Sequence, residues 1–149
     1  MKVCVIGGGA SGMMCATMIA RKGHEVVLFE KNEKLGKKIY ITGKGRCNVT
    51  NATVGDEFLK SVVGGKKFVM GAVTRFNSSD TMAFFEDVGI PLKIERGSRV
   101  FPVSDKAMDI VDALNRYITD MGVQRKTERV TELIVENGAQ FMGKKVYEA

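Results

Sequence analysis

Three glycines and one acid offer the clearest chemistry in this sequence. Gly7, Gly9 and Gly12 stand in the string Gly7-Gly8-Gly9-Ala10-Ser11-Gly12, and Glu30 follows Gly12 by 18 residues. Gly7 can take a sharp turn in which a side chain would be strained. Gly9 lacks a Cβ, so the backbone there can approach a pyrophosphate closely, and Gly12 lets a following helix pack tightly on the preceding strand. An acid at about this spacing accepts hydrogen bonds from adenosine ribose hydroxyls and repels a 2′-phosphate, which disfavours NADP at such a site. The chemistry is that of a dinucleotide cradle.

A cradle of this kind needs a strand before the glycines and a helix after them. Val3 to Ile6 form a short apolar run suited to a buried parallel strand. A helix is expected from about Ser11 to Lys22, with its free N–H groups and positive dipole end toward the phosphates. Gly23 ends it, and Glu25 to Glu30 read as the second strand. Other phosphate loops fail: Gly36-Lys37, Gly43-Lys44 and Gly65-Lys66 lack the earlier glycine and the following Ser or Thr of a P-loop. ATP hydrolysis is therefore not expected.

A second unusual stretch runs from Leu35 to Asn51 and contains Thr42-Gly43-Lys44-Gly45-Arg46-Cys47-Asn48. It could offer backbone N–H groups to an anion or a polar ring edge. It could equally be a basic surface turn, and the residue chemistry alone leaves both readings open.

Together, Gly-Gly-Gly-Ala-Ser-Gly-Met, Glu30, the Thr42–Asn51 string and the segment from Glu95 to Ala107 resemble a bacterial family of NAD(P)/FAD-dependent oxidoreductases, BaiN-like or aminoacetone-oxidase-like flavoproteins. The resemblance runs over the whole chain. It implies a Rossmann-like α/β FAD-binding domain of the two-dinucleotide-binding-domain flavoprotein type, with a helical insertion and a small β-meander. Residues 1–149 would be that domain, incomplete at its C-terminal side, with the substrate domain and the C-terminal FAD segment outside this chain.

The resemblance also implies a cofactor, FAD, and its contacts. Gly7, Gly9, Ala10, Ser11 and Gly12 would hold the pyrophosphate, and Glu30 with Lys31 the ribose side. Thr42, Gly43, Lys44, Gly45, Arg46, Cys47 and Asn48 would run along the pyrophosphate, ribityl chain and flavin, and Val130 would lie near adenine. Lys44 is a departure from the resemblance, which implies glycine at this position. Lys44, Arg46 and the loop amides would stabilise negative charge on pyrophosphate or reduced flavin. The implied function is hydride transfer through flavin N5, with NAD(P)H as a reductant and an unsaturated carbonyl or amino ketone as substrate. An NAD-dependent dehydrogenase and a tRNA-associated flavoprotein or nucleotide-binding module are the alternatives. No residue stands out as a general acid or base.

Composition supports a folded domain with a core: 149 residues, net charge +6 and a pI near 9.3. The cations are dispersed, densest from Lys31 to Arg46, without the aromatic interleaving of a nucleic-acid surface. Nucleic-acid and membrane partners are not expected. The three cysteines lack metal spacing and suit a reducing cytoplasm; Cys4 and Cys15 are expected as core thiols, and cations beside Cys47 would lower its pKa. Three glycines break the apolar start that might otherwise resemble a signal peptide. His24, the single histidine, falls in a helix-to-strand connection, which removes histidine triads and histidine metal sites.

For the rest, helices are expected within residues 55–65 and over 66–76, the latter with Phe68, Val69, Ala72, Val73 and Phe76 on one side. Another, capped by Asn77, Ser78 or Ser79, should end at Gly89 with Met82, Phe84, Phe85 and Val88 in the core. Residues 91–95 and 99–102 read as strands joined at Gly97-Ser98. Ser104 is the expected N-cap of a helix carrying Ala107, Met108, Ile110, Val111, Leu114, Ile118 and Met121 inward. Residues 123–126, 130–136 and 139–142 read as strands, with a hairpin turn at Asn137-Gly138.

Overall fold

The computed structural model describes residues 1–134. Strand β1 (Lys2–Ile6), helix α1 (Ala10–Arg21) and strand β2 (Glu25–Phe29) form one βαβ unit. β1 and β2 pair in parallel, Val5 opposite Leu28. The far edge of β2 takes β6 (Gln124–Lys126), also parallel, giving the order β1-β2-β6. Alternation decides which face is covered: Val5, Val26 and Leu28 are buried, whereas Cys4 and Ile6 are exposed.

Helix α1 covers that inner face, and helix α5 (Ala107–Asp120) packs against α1. Met13, Ala16 and Thr17 of α1 meet Ile110, Val111, Leu114 and Ile118 of α5 in one cluster with Leu35 and Ile39. Their buried side chains repeat at helical spacing, as expected for a helix lying on a sheet.

Between β2 and α5 the chain builds a second layer. Helices α2 (Gly55–Lys60), α3 (Lys66–Arg75) and α4 (Ser78–Asp87) form the helical insertion. Asn77 caps α4 by a reciprocal box: its side chain accepts from the Ser79 and Asp80 N–H groups, and Asp80 accepts from the Asn77 N–H at 2.8 Å. Strands β4 (Leu92–Glu95) and β5 (Arg99–Pro102) form a hairpin whose turn residues Gly97 and Ser98 both have positive φ. A short β3 (Thr50–Asn51) joins the free edge of β5, giving the antiparallel order β3-β5-β4. β3 has no signature in the sequence, because two residues carry no alternation.

Several expectations change. Cys4 and Cys15 are exposed, not core: Cys4 is on the sheet face that the described helices leave open, and Cys15 is off the α1 stripe that points inward. Helix α3 forms where periodicity places it, yet it buries none of its side chains among the described residues, and Phe68 is 85% exposed. Ser104 is not the N-cap of α5. The helix starts at Ala107 after Lys106, while Ser104 Oγ accepts from the Lys106 N–H at 3.3 Å in a turn before it. Met108 and Met121 lie on the exposed side of α5. Residues 127–134 carry no strand, so the strand expected over 130–136 does not form in its described part. The strand expected over 139–142 and the Asn137-Gly138 turn lie outside the described residues. No helix among the described residues is long and apolar enough to cross a membrane.

Candidate nucleotide-binding site

The glycine turn is held by contacts that leave no room for a side chain at Gly8 and Gly12. Gly7 has φ +100, a left-handed value, and its N–H donates to the Phe29 carbonyl at 2.7 Å. A Cβ on Gly12 would drive into the Gly7 carbonyl oxygen. A Cβ on Gly8 would drive into the Leu35 side chain and lie 3.1 Å from Glu30 Cβ. Gly8 was missed in the sequence, because its constraint comes from Leu35, remote in the chain. Gly9 differs: a Cβ there meets nothing within 4 Å. It precedes α1 with extended backbone and no capping side chain, and the first turn of α1 holds no acid. The first amides of a helix have no partner within the helix. A positive, donor-rich end therefore faces open space beside Gly9.

Glu30 closes the other side. Its carboxylate accepts from the Gly8 N–H at 2.7 Å and from the Asn32 N–H at 2.9 Å, with the Asn32 side-chain amide as a further donor. Partial burial raises the Glu30 carboxyl, but the Asn32 and Gly8 donors and the Lys31 charge outweigh it, holding it below the usual carboxylate value. An ionised carboxylate has about four acceptor positions, so capacity is left for ribose hydroxyls.

A hollow of about 170 Å³ opens at the ends of β1 and β2, lined by Ile6, Gly7, Phe29, Glu30, Lys31, Glu128 and Val130. Its floor is apolar from Ile6, Phe29 and Val130. It is smaller than the roughly 300–1,000 Å³ of pockets that enclose a whole ligand, so it has room for only part of one. The structure thus brings Gly7, Glu30, Lys31 and Val130 together. Gly9, Ala10, Ser11 and Gly12 adjoin them through the turn. Glu128, Ile6 and Phe29 were missed, and periodicity alone could not place them.

The stretch from Thr42 to Asn48 does not line this hollow. It begins inside a 3-10 segment, Ile39–Gly45, interrupted by extended Thr42 and left-handed Gly43 and Lys44. Gly45 and Cys47 also have positive φ. Lys44 at φ +58 shows why glycine would suit this position, since a side chain in this region is disfavoured. The Cys47 N–H donates to the Thr42 carbonyl at 3.0 Å, and the Thr42 hydroxyl to the Ile39 carbonyl at 2.8 Å. With its amide turned to donate, Asn48 reaches the Val100 and Thr50 carbonyls at 3.2 and 3.0 Å.

Arg46 departs from expectation. Its guanidinium pairs with Glu95, donates from Nε to Asp105 Oδ1 at 2.8 Å, and sits 4.2 Å over the Phe101 ring. Its charge is committed to two carboxylates rather than held ready for a pyrophosphate. Cys47 is buried, and burial pushes its thiol up against the opposing Thr42 hydrogen bond, so the expected lowering by cations does not occur. His24 lies half-buried before β2. The described residues contain no cluster of metal-ligating side chains.

Residues 1–148 match the family model of the HI0933-like protein Rossmann domain, and the chain belongs to that family. It is 35% identical over 117 residues to the 3-dehydro-bile acid delta(4,6)-reductase of Clostridium scindens, covering 76% of this chain and 27% of the relative. It is 32% identical over 120 residues to the ribosomal RNA dihydrouridine synthase of Haemophilus influenzae, covering 80% and 29%. The chain therefore spans between a quarter and a third of these relatives' length. Among solved structures, Thermovibrio ammonificans THI4 superposes with a TM-score of 0.56 at 15% identity, covering 84% of this chain and 37% of that one. An oxidoreductase from Methanosarcina mazei superposes with a TM-score of 0.51 at 16% identity, covering 93% and 54%. These two likenesses show the Rossmann-like fold.

Proposed function

We propose that the chain is the FAD-binding portion of an FAD-dependent oxidoreductase that acts on an unsaturated carbonyl compound, with NAD(P)H as reductant. The observation that carries the reading is the open space at Gly9, set between the uncapped end of α1 and the Glu30 carboxylate. A Cβ would fill that space, and a pyrophosphate fits the donors around it. The adenosine ribose would meet Glu30, and adenine the apolar floor of Ile6, Phe29 and Val130. When bound, FAD supplies a ring that accepts and donates hydride. The chain's own work is to bind and orient its ADP half. The substrate class rests on the relatives, whose names describe a reductase of a dehydro-bile acid and a synthase of dihydrouridine in ribosomal RNA.

Titration of FAD, ADP and NAD into the purified chain tests this. FAD and ADP should bind, and Glu30→Ala should weaken both at least about tenfold, or about 1.4 kcal/mol. Unchanged affinity in the variant would displace the site from Glu30. Binding of NAD in preference to FAD would replace the flavin reading by that of a nicotinamide enzyme.

A further inference from the structure

The segment from Glu95 to Ala107 is a sequence feature that the nucleotide site does not absorb. Its two acids meet the Thr42–Asn48 loop at one residue, Arg46. Glu95 ends β4, and Asp105 follows β5 in a left-handed conformation, φ +58. Between them they bind the guanidinium from two directions, while Phe101 of β5 closes its flat face. Lys93 completes a ring of four charges, 2.6 Å from Asp105 and 3.6 Å from Glu95. Each cation touches both acids.

We propose that Glu95 and Asp105 are positioning residues for the Thr42–Asn48 loop, which they hold through Arg46 for the part of the cofactor beyond its ADP half. This rests on the flavin reading for the ligand, but the clamp itself stands on the geometry.

The loop needs such a clamp. Positive φ at Gly43, Lys44, Gly45 and Cys47 is a conformation that the unfolded chain rarely visits as a unit. Its only apolar anchor is Cys47; Thr42 to Gly45 are exposed. Isolated exposed ion pairs hold little, whereas an arginine shared by two carboxylates in a charge network restricts the geometry of all three groups. The rigid hairpin of β4 and β5 thus transfers its order to a loop 49 and 59 residues earlier in the chain. The Val49 N–H donates to the Val100 carbonyl at 2.8 Å, which ties the loop's exit to the same hairpin.

Two readouts on the full 149-residue chain test the clamp. In amide hydrogen exchange without ligand, Glu95→Gln with Asp105→Asn should speed exchange at Arg46 and Cys47 at least tenfold and leave α1 and β1 unchanged. Each single variant should give a smaller effect in the same place. Unchanged loop exchange in the double variant would overturn the proposal, as would faster exchange throughout the chain in both single variants. In titrations, the double variant should lose at least fivefold in FAD affinity while ADP affinity stays within twofold. Equal losses for ADP and FAD would overturn the clamp's assignment to the far half of the cofactor. A wild-type chain that binds neither ligand but shows the exchange effect would sink the flavin reading and leave the clamp standing.

Discussion

The glycine turn and the Thr42–Asn48 loop are both glycine-rich, and both present backbone rather than catalytic side chains. They are built in opposite ways. The turn is fixed by the absence of atoms: Gly8 and Gly12 leave room for Leu35, Glu30 and the Gly7 carbonyl. Apart from Leu35, its partners are close in sequence or come with the parallel pairing of β1 and β2. The loop is fixed by the presence of atoms, chiefly the Arg46 guanidinium and the acids that reach it from the β4-β5 hairpin. A cradle made of missing side chains breaks when one is added. A loop held by charges breaks when one is removed.

The largest expected effect follows from the first case. Gly12→Ala places a methyl group inside the Gly7 carbonyl, where backbone faces backbone and neither side has a rotamer to yield. A loss of about 3 kcal/mol in denaturant unfolding is expected, at the upper end for overpacking. Gly9→Ala should cost less than about 1 kcal/mol, since its Cβ meets nothing and only a modest N-cap preference is lost. The same Gly9→Ala variant should nonetheless lose FAD and ADP binding in titration. If both glycines proved equally costly to stability, the separation of packing glycine from ligand glycine would fail.

This contrast also explains what the sequence made legible. The βαβ unit, the roles of Gly7 and Gly12, and the Rossmann-like class follow from local pattern, because their partners sit at fixed offsets. Gly8 sits in the same triplet and went unread: its constraint is Leu35, whose approach depends on the Gly36 N–H donating to the Gly8 carbonyl at 2.7 Å. Arg46 was legible as a cation but not as a neutralised one, since no offset rule links it to Glu95 or Asp105. Helix α3 shows the same limit. Its apolar spacing correctly gave a helix, but periodicity defines a face without saying what covers it, and Phe68 stands exposed.

Acid should distinguish the regions next. Glu30, Glu95 and Asp105 are all held below their ordinary carboxyl values. For a depressed carboxyl, the stabilisation is complete above the unfolded pKa, about 4 for these groups, and is lost as pH falls through the lower folded value. Thermal unfolding should therefore show a fall in midpoint below about pH 4. Glu30→Gln should flatten part of that fall, and Glu95→Gln with Asp105→Asn another part. At about 1 M salt, where screening acts over roughly 3 Å, the second part should shrink and the first persist. Glu30 is held mainly by directed N–H donors, whereas the hairpin acids answer to cations in partly exposed positions. Equal sensitivity to salt would show that the two regions are held by the same force.

The smallest effect concerns Lys44, where the two modes of construction meet. It carries a side chain in a left-handed conformation that glycine adopts freely. Lys44→Gly removes that strain but also frees the unfolded chain, so the two contributions oppose each other. The strain of a side chain in this region is roughly 1–2 kcal/mol, and the entropic cost of glycine roughly 0.5–1 kcal/mol. The balance favours glycine by up to about 1.5 kcal/mol in denaturant unfolding. Lys44 is exposed, so no packing is lost with it. A stabilised Lys44→Gly chain with weaker FAD binding would mean that the lysine is kept for its charge toward the cofactor at the expense of the loop. A stabilised chain with unchanged binding would leave the loop's amides and the Arg46 clamp as its working parts. A destabilised chain would mean that the strain at Lys44 is smaller than the entropic cost of glycine, and that the left-handed run holds its lysine without appreciable strain.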